Sequence, residues 1–210
     1  MLVLSLVEKV LLAGAIAASG YFFWLRFGSV LKIIQSTRKD VTFELGDVAR
    51  RVWTFVWEVI LQAKVIQQRP LPGLAHAFVF WGFCAFGLVT LNHFALGFGL
   101  ELLSPSGFFG RIYFAMAALF AVAVAVSIFA LAFRRFVLQP RWLGKVSYES
   151  GFIALLIFTL MWTYLADYVM HAQDPAWSET WAARVIWWLH SASILTFLPL
   201  IPHTKHLHLI

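Results

Sequence analysis

Five long apolar runs, separated by short stretches of proline, glycine and charge, organise this chain. They fall at about residues 7–31, 73–99, 109–133, 149–170 and 184–204. A hydrocarbon core of about 30 Å takes roughly 20 apolar residues in a helix, and each run meets that length. The breaks read Arg69-Pro70-Leu71-Pro72-Gly73, Ser104-Pro105-Ser106-Gly107, Gln139-Pro140-Arg141 and Asp174-Pro175; proline and glycine at such points end one helix and open the next. The pattern predicts an all-α integral membrane bundle of five transmembrane helices, one domain over residues 1–210 without an internal repeat.

The first connection carries a different pattern. Val48, Val52, Phe55, Val56, Val59, Ile60 and Ala63 recur at helical spacing, with Asp47, Arg50, Arg51, Thr54, Glu58 and Gln62 opposite and Trp53 and Trp57 between. This predicts one amphipathic helix over about 44–66, lying in the membrane interface or packed beneath the bundle. It serves either as a structural element or as a docking face for a soluble partner.

Composition agrees with the pattern. Of 210 residues, 61% are hydrophobic and 12% charged, about half the charge of a soluble domain; too little polar surface remains to keep such a chain in water. Ten Trp suit a protein with two bilayer interfaces to mark. The N-terminal run lacks a basic leader, is interrupted by Glu8 and Lys9, and continues directly into Tyr21-Phe22-Phe23-Trp24-Leu25. It therefore predicts a retained first span rather than a signal peptide.

The net charge of +6 does not gather in one patch, which argues against nucleic acid as a partner. Arg26, Lys32, Arg38, Lys39, Arg50, Arg51, Lys64 and Arg69 lie around the first connection, and Arg134, Arg135, Arg141 and Lys145 in the third; the other two hold Glu101, Asp167, Asp174 and Glu179. Basic connections stay in the cytoplasm, so the N-terminus is expected outside and the C-terminus inside. The single cysteine, Cys84, lies in an apolar run and offers neither a disulfide framework nor cysteine ligation of an iron–sulfur cluster within these residues.

Seven histidines remain: His76, His93, His171, His190, His203, His206 and His208. An ionisable side chain inside a membrane is costly and usually functional, although one histidine alone also serves as an interhelical hydrogen bond. Here the arrangement matters. Span two runs outward from His76 to His93 and span five returns inward from His190 to His208, separations of 17 and 18 residues, or about 25 and 27 Å. Packed antiparallel, the two spans set His76 level with His208 and His93 level with His190. At 100° per residue, 18 residues return to the same helix face, and Pro199 and Pro202 make the phase of span five approximate.

Two facing imidazoles suit haem iron, which takes one axial nitrogen from each side. A pair near each face would form a two-step electron path across the bilayer. Zinc or copper favours tight clusters, often with cysteine or carboxylate, which these spans lack.

The stretch HSASILTFLPLIPHTKHLH, from His190 to His208, resembles the last helix of the haem-b gamma subunit of respiratory nitrate reductase. It is more similar still to the membrane part of heterodisulfide-reductase-related iron–sulfur proteins, including electron-transfer-flavoprotein:quinone oxidoreductases of that type. QRPLPGLAHAFVFWGFCAFGLVTLNH, residues 68–93, resembles their second span. The KHLH ending after a proline is the most specific element, and the five-span layout extends the resemblance over essentially the whole chain.

The resemblance implies two haem b groups: His76 and His208 on the cytoplasmic one, His190 on the outer one. His93 is the remaining histidine of span two at the matching depth, although the nitrate reductase subunit has its second histidine earlier, near Phe86 here. His203 or His206 would replace His208 if the proline kink shifts the phase. Lys205 either snorkels to the interface or pairs with a haem propionate, and Arg69 and Arg26 have the same two readings. His171 is expected in the outer loop, as a solvated side chain or in quinone or proton handling; Trp187, Trp188 and Asp167 are belt and loop residues or the lining of a quinone pocket. The implied activity is electron transfer between a cytoplasmic cysteine-rich iron–sulfur partner and menaquinone or ubiquinone, in the inner membrane of a prokaryote. An electron-transfer flavoprotein is a candidate donor, and this chain is either a separate subunit or a fragment of a longer protein. Two other classes remain open: a haem-free membrane anchor for a redox partner, and a His-lined metal or proton transporter.

Overall fold

The computed structural model describes residues 3–38, 42, 44, 46–174 and 176–204. Among these residues all regular structure is helical. Five helices are long and apolar: α1 (Leu6–Ser36), α4 (Pro70–Gly97), α5 (Phe108–Phe133), α6 (Tyr148–Gln173) and α7 (Trp181–His203). Two short ones, α2 (Val48–Phe55) and α3 (Ala63–Gln68), lie in the first connection.

Local chemistry explains the ends. Ser5 opens α1 with a capping box: its Oγ accepts from the Glu8 amide at 3.3 Å, and the Glu8 carboxylate accepts from the Ser5 amide at 2.8 Å. Pro70 stands at the first position of α4, where a missing N–H costs nothing, so that helix starts three residues before the expected 73. Thr180 caps α7 by accepting from the Ala183 amide at 3.1 Å. α5 runs on into a π turn, Arg134–Leu138, which ends where Gln139 takes a left-handed conformation with φ 42°.

α4 packs on α5, α5 on α6, α6 on α7 and α7 on α1. The core lies among α4, α5 and α6, where Phe86, Val89, Ala117, Ala121, Val124 and Met161 are buried. Ala117 and Ala121 are one turn apart and fully buried, and Gly82 lies so close to Val124 that a Cβ there would sit 2.3 Å from Cγ2. Small residues at helical spacing let membrane helices approach closely, since hydrocarbon itself gives no drive for helices to associate. Outward, large apolar side chains are exposed on every long helix: Leu6 at 79%, Leu91 at 62%, Leu119 at 74%. Water would not tolerate that belt, whereas lipid matches it. The chain is a multi-pass membrane protein.

Two expectations need correction. The amphipathic segment over 44–66 is not one helix. After α2 the chain forms a π turn, Val56–Ile60, and breaks at Gln62, whose φ of 55° stops the helix before α3. Gln62 donates from Nε2 to the Val59 carbonyl at 2.6 Å, and Trp81 of α4 donates its indole N–H to the Ile60 carbonyl at 2.8 Å. The freed carbonyls thus gain partners that a periodicity reading cannot see. Secondly, spans two and five do not pack along their lengths. α7 packs chiefly on α6 and α1, and α4 meets it at one end, around His93, Gly97, Trp187 and Ser191. Matching depth fixed the level of the histidines but not the order of helices around the bundle; the small residues of α4 and α5 decided that.

α7 contains Pro199 and Pro202. Pro199 has no N–H, so the Leu195 carbonyl loses its helical donor. The Ser19 hydroxyl of α1 donates to that carbonyl at 2.7 Å, turning a helix defect into an interhelical tie.

Candidate functional site

At the end of the bundle remote from α2 and α3, the structure brings His93 of α4 and His190 of α7 together. Their ring centroids are 4.8 Å apart, with planes inclined at 58°. Trp187, one turn before His190, stacks on His93 at 4.7 Å with an interplanar angle of 17°. Gly97 makes room for this stack: a Cβ there would lie 2.8 Å from Leu12 Cδ2 and 2.9 Å from the Trp187 ring. Beside His93, the Asn92 side chain is buried and accepts from the amides of Leu102 and Leu103 at 3.0 and 2.9 Å, which fastens the following loop over the pair.

Each imidazole is held by a hydroxyl. His93 Nε2 lies 2.8 Å from Ser191 Oγ, and His190 Nδ1 lies 2.7 Å from Thr163 Oγ1 of α6. The Thr163 hydroxyl also reaches the Thr159 and Leu160 carbonyls, at 2.7 and 3.1 Å. With its proton on a carbonyl, Thr163 Oγ1 accepts from His190 Nδ1–H. In that arrangement His190 is the Nδ1–H tautomer and Nε2 carries the lone pair. A metal-ligating histidine is usually presented in this way, its outer nitrogen fixed by a second group.

Imidazole is the donor type that haem iron takes, but the spacing is too short as it stands. A metal–imidazole bond is about 2 Å, so two rings on opposite sides of one ion stand roughly 6 Å apart between centroids. From 4.8 Å the rings must separate, and His93 must release Ser191 or turn to offer Nδ1. His190 needs no such change. Among the described residues no three His, Cys, Asp or Glu side chains gather, whereas an iron porphyrin brings four nitrogens of its own and asks two from the protein.

The other predicted residues are distributed differently. His76 is half-buried in α4, at the other end of that helix from His93. His206 and His208, with Lys205, lie outside the described residues. His203 is exposed at the end of α7 and bonds through Nδ1 to the Pro199 carbonyl at 2.8 Å. His171 is not in a loop: α6 extends to Gln173, and the ring pairs with Asp167 one turn earlier at 3.4 Å. That pairing favours one more helical turn over a loop.

Asp167 also accepts from the Trp177 indole at 2.9 Å, while Trp188 donates to Glu8 at 3.2 Å. Trp187 and Trp188 meet edge to face, with centroids 5.2 Å apart, while Asp167 bonds to Trp177 and His171 instead. Phe86 is core, edge-on to Tyr164 at 4.9 Å. Cys84 is exposed on α4.

Sequence reading missed Thr163 and Ser191. Ser191 carried a signal, since it adjoins His190; Thr163, in a different span, carried none. Glu8 was noticed only as an interruption. A carboxylate in an apolar run demands a partner, and Arg184 supplies it: its guanidinium reaches both Glu8 oxygens across 176 residues of sequence, tying α1 to α7.

No protein-family model and no solved structure matches the chain. Two curated proteins do. The EtfAB:quinone oxidoreductase of Syntrophomonas wolfei is 26% identical over 196 aligned residues, covering 77% of this chain and 27% of that protein. The probable iron-sulfur-binding oxidoreductase FadF of Bacillus subtilis is 24% identical over 179, covering 74% and 25%. Neither name mentions haem. The chain spans about a quarter of the length of these relatives, and it is a distant homologue of one segment within two oxidoreductases.

Proposed function

We propose that this chain is the membrane part of a quinone-reactive oxidoreductase, conducting electrons between an iron–sulfur centre and quinone through b-type haem. The observation that carries the reading is the His93–His190 pair: two imidazoles from different helices, at one depth, each held by a hydroxyl, in a chain related to an EtfAB:quinone oxidoreductase. Bound between them, a haem would accept and release single electrons. His190 would bind through Nε2 with Thr163 holding its tautomer, and His93 would complete the pair. Trp187 and the loop fastened by Asn92 would screen them from water. At the other end His76, with His208 or alternatively His203 or His206, would hold a second haem, as the family resemblance implies. The iron–sulfur centre would belong to a partner domain or subunit on the basic side, taken as cytoplasmic by the positive-inside rule, in the inner membrane of a prokaryote.

The test is a reduced-minus-oxidised visible spectrum of the purified protein, produced with ample haem. Two b-type haems per chain are expected; His93→Ala and His190→Ala each remove one, and His171→Ala removes none. No b-type signal would sink the proposal. The second reading is then a haem-free anchor, favoured by the fact that both rings already have hydrogen-bond partners; in that case His190→Ala lowers stability with no chromophore to lose.

A further inference from the structure

A second cluster lies at the end where α4 begins and α5 ends, and it does not involve the histidines. Arg69 places its guanidinium carbon 3.6 Å from the centroid of Trp142, and Arg134 places its own 4.5 Å from the same ring. These residues, with Pro70, Leu71 and Pro72, line an open cavity of about 590 Å³. We propose that Arg69, Arg134 and Trp142 bind the phosphate of an anionic phospholipid.

The charge argument comes first. Two guanidinium groups held around one indole repel each other, and no carboxylate lines the cavity. Among the described residues neither arginine has an acidic partner, whereas Lys64 pairs with Glu58 at 3.6 Å. An anion between the arginines relieves the repulsion, and a guanidinium fork suits phosphate oxygens. Helix amides add little: Pro70 and Pro72 have no N–H, and the Gly73 amide donates to the Arg69 carbonyl at 2.7 Å. Neighbouring Arg135 is committed elsewhere, donating to the Leu143 and Lys145 carbonyls, so it holds the Trp142 loop in place.

Position selects the source of the phosphate. Arg69 stands immediately before the apolar run of α4 and Arg134 immediately after that of α5, which is the level of lipid headgroups. Leu71 is 83% exposed and Trp142 54% exposed, an aliphatic side chain and an indole facing outward where a lipid would lie. Basic pockets between membrane helices hold anionic headgroups in this manner.

The experiment uses the full chain in neutral detergent. Adducts with dioleoyl-phosphatidylglycerol and with dioleoyl-phosphatidylcholine are counted by native mass spectrometry, for the wild type, for Arg69→Gln/Arg134→Gln, and for Arg38→Gln/Arg50→Gln as a control of equal charge. Each basic residue near the headgroup is expected to contribute about fivefold in affinity. The wild type and the control should therefore prefer phosphatidylglycerol by roughly thirtyfold, and the Arg69/Arg134 variant should lose that preference.

A readout on the wild type guards against a variant that fails to fold: modification of Arg69 and Arg134 by phenylglyoxal should slow at least fivefold with phosphatidylglycerol, and not with phosphatidylcholine. Equal binding of the two lipids, unchanged preference in the variant, or unprotected arginines would each overturn the proposal. So would inorganic phosphate protecting as well as the lipid at equal concentration, which would identify a free-anion site.

Discussion

Thr163→Val tests the site at its least visible component. The side chain is fully buried and His190 is 6% exposed, and their 2.7 Å contact joins α6 to α7. Valine keeps the shape and removes the hydroxyl, taking away the partner of His190 Nδ1. Interhelical hydrogen bonds in membranes average about 0.6 kcal/mol and reach about 1.7. Orphaning a buried donor costs about 1–3 kcal/mol. The site is well buried and the bond short, so the upper part of the first range and the lower part of the second apply: about 1–2 kcal/mol. In mixed micelles titrated with dodecyl sulfate, that is a five- to thirtyfold shift of the unfolding equilibrium.

Haem separates the roles further. Loss of a group that orients a ligand typically costs 10–100-fold in metal-site affinity, because His190 is no longer held with Nε2 unprotonated. Thr163→Ser retains the hydroxyl and should hold haem as the wild type does, while losing about 1 kcal/mol for the missing methyl. Haem affinity in Thr163→Val within twofold of wild type, or equal losses in the serine and valine variants, would refute the tautomer argument.

Other consequences follow from the same packing. Gly73→Ala would bring a Cβ within 2.3 Å of the Val65 carbonyl oxygen; displacing backbone at the α3–α4 junction should cost about 1–3 kcal/mol, whereas Gly87→Ala, with nothing within 4 Å, should be neutral in the same titration. Glu8→Gln weakens the tie to Arg184, whose side chain is 42% exposed; partial solvent screening limits the loss to about 1 kcal/mol or less, measurable as lower unfolding resistance that added salt reduces. Gly97→Ala would crowd Leu12 and Trp187 and should shift the fluorescence of Trp187, read in a variant with its neighbour Trp188 replaced by Phe. His171→Ala breaks only a half-exposed pair with Asp167, and stability should change by less than about 0.5 kcal/mol.

Much of the fold was legible because lipid imposes a one-dimensional requirement. Every backbone polar group must be satisfied within its own segment, so each span is a helix of sufficient apolar length, and the five runs of the sequence became α1, α4, α5, α6 and α7. The depth of His93 and His190 was legible for the same reason: residue number along a straight helix converts directly to height. The amphipathic connection was read correctly as helical and wrongly as continuous, since the break at Gln62 depends on Trp81 of a different helix capturing the Ile60 carbonyl.

Lateral arrangement had no such projection in the sequence. Which helix stands beside which was decided by close approach at Gly82, Ala117 and Ala121, and by ties between residues far apart in the chain: Ser19 to the carbonyl freed by Pro199, and Glu8 to Arg184. The hydroxyl that orients His190 comes from α6, a span without any predicted ligand. Length, hydropathy and charge bias are properties of single segments, and they determined the spans and the shared level of His93 and His190. Neighbour identity is a property of pairs of surfaces, and only packing in three dimensions decided it.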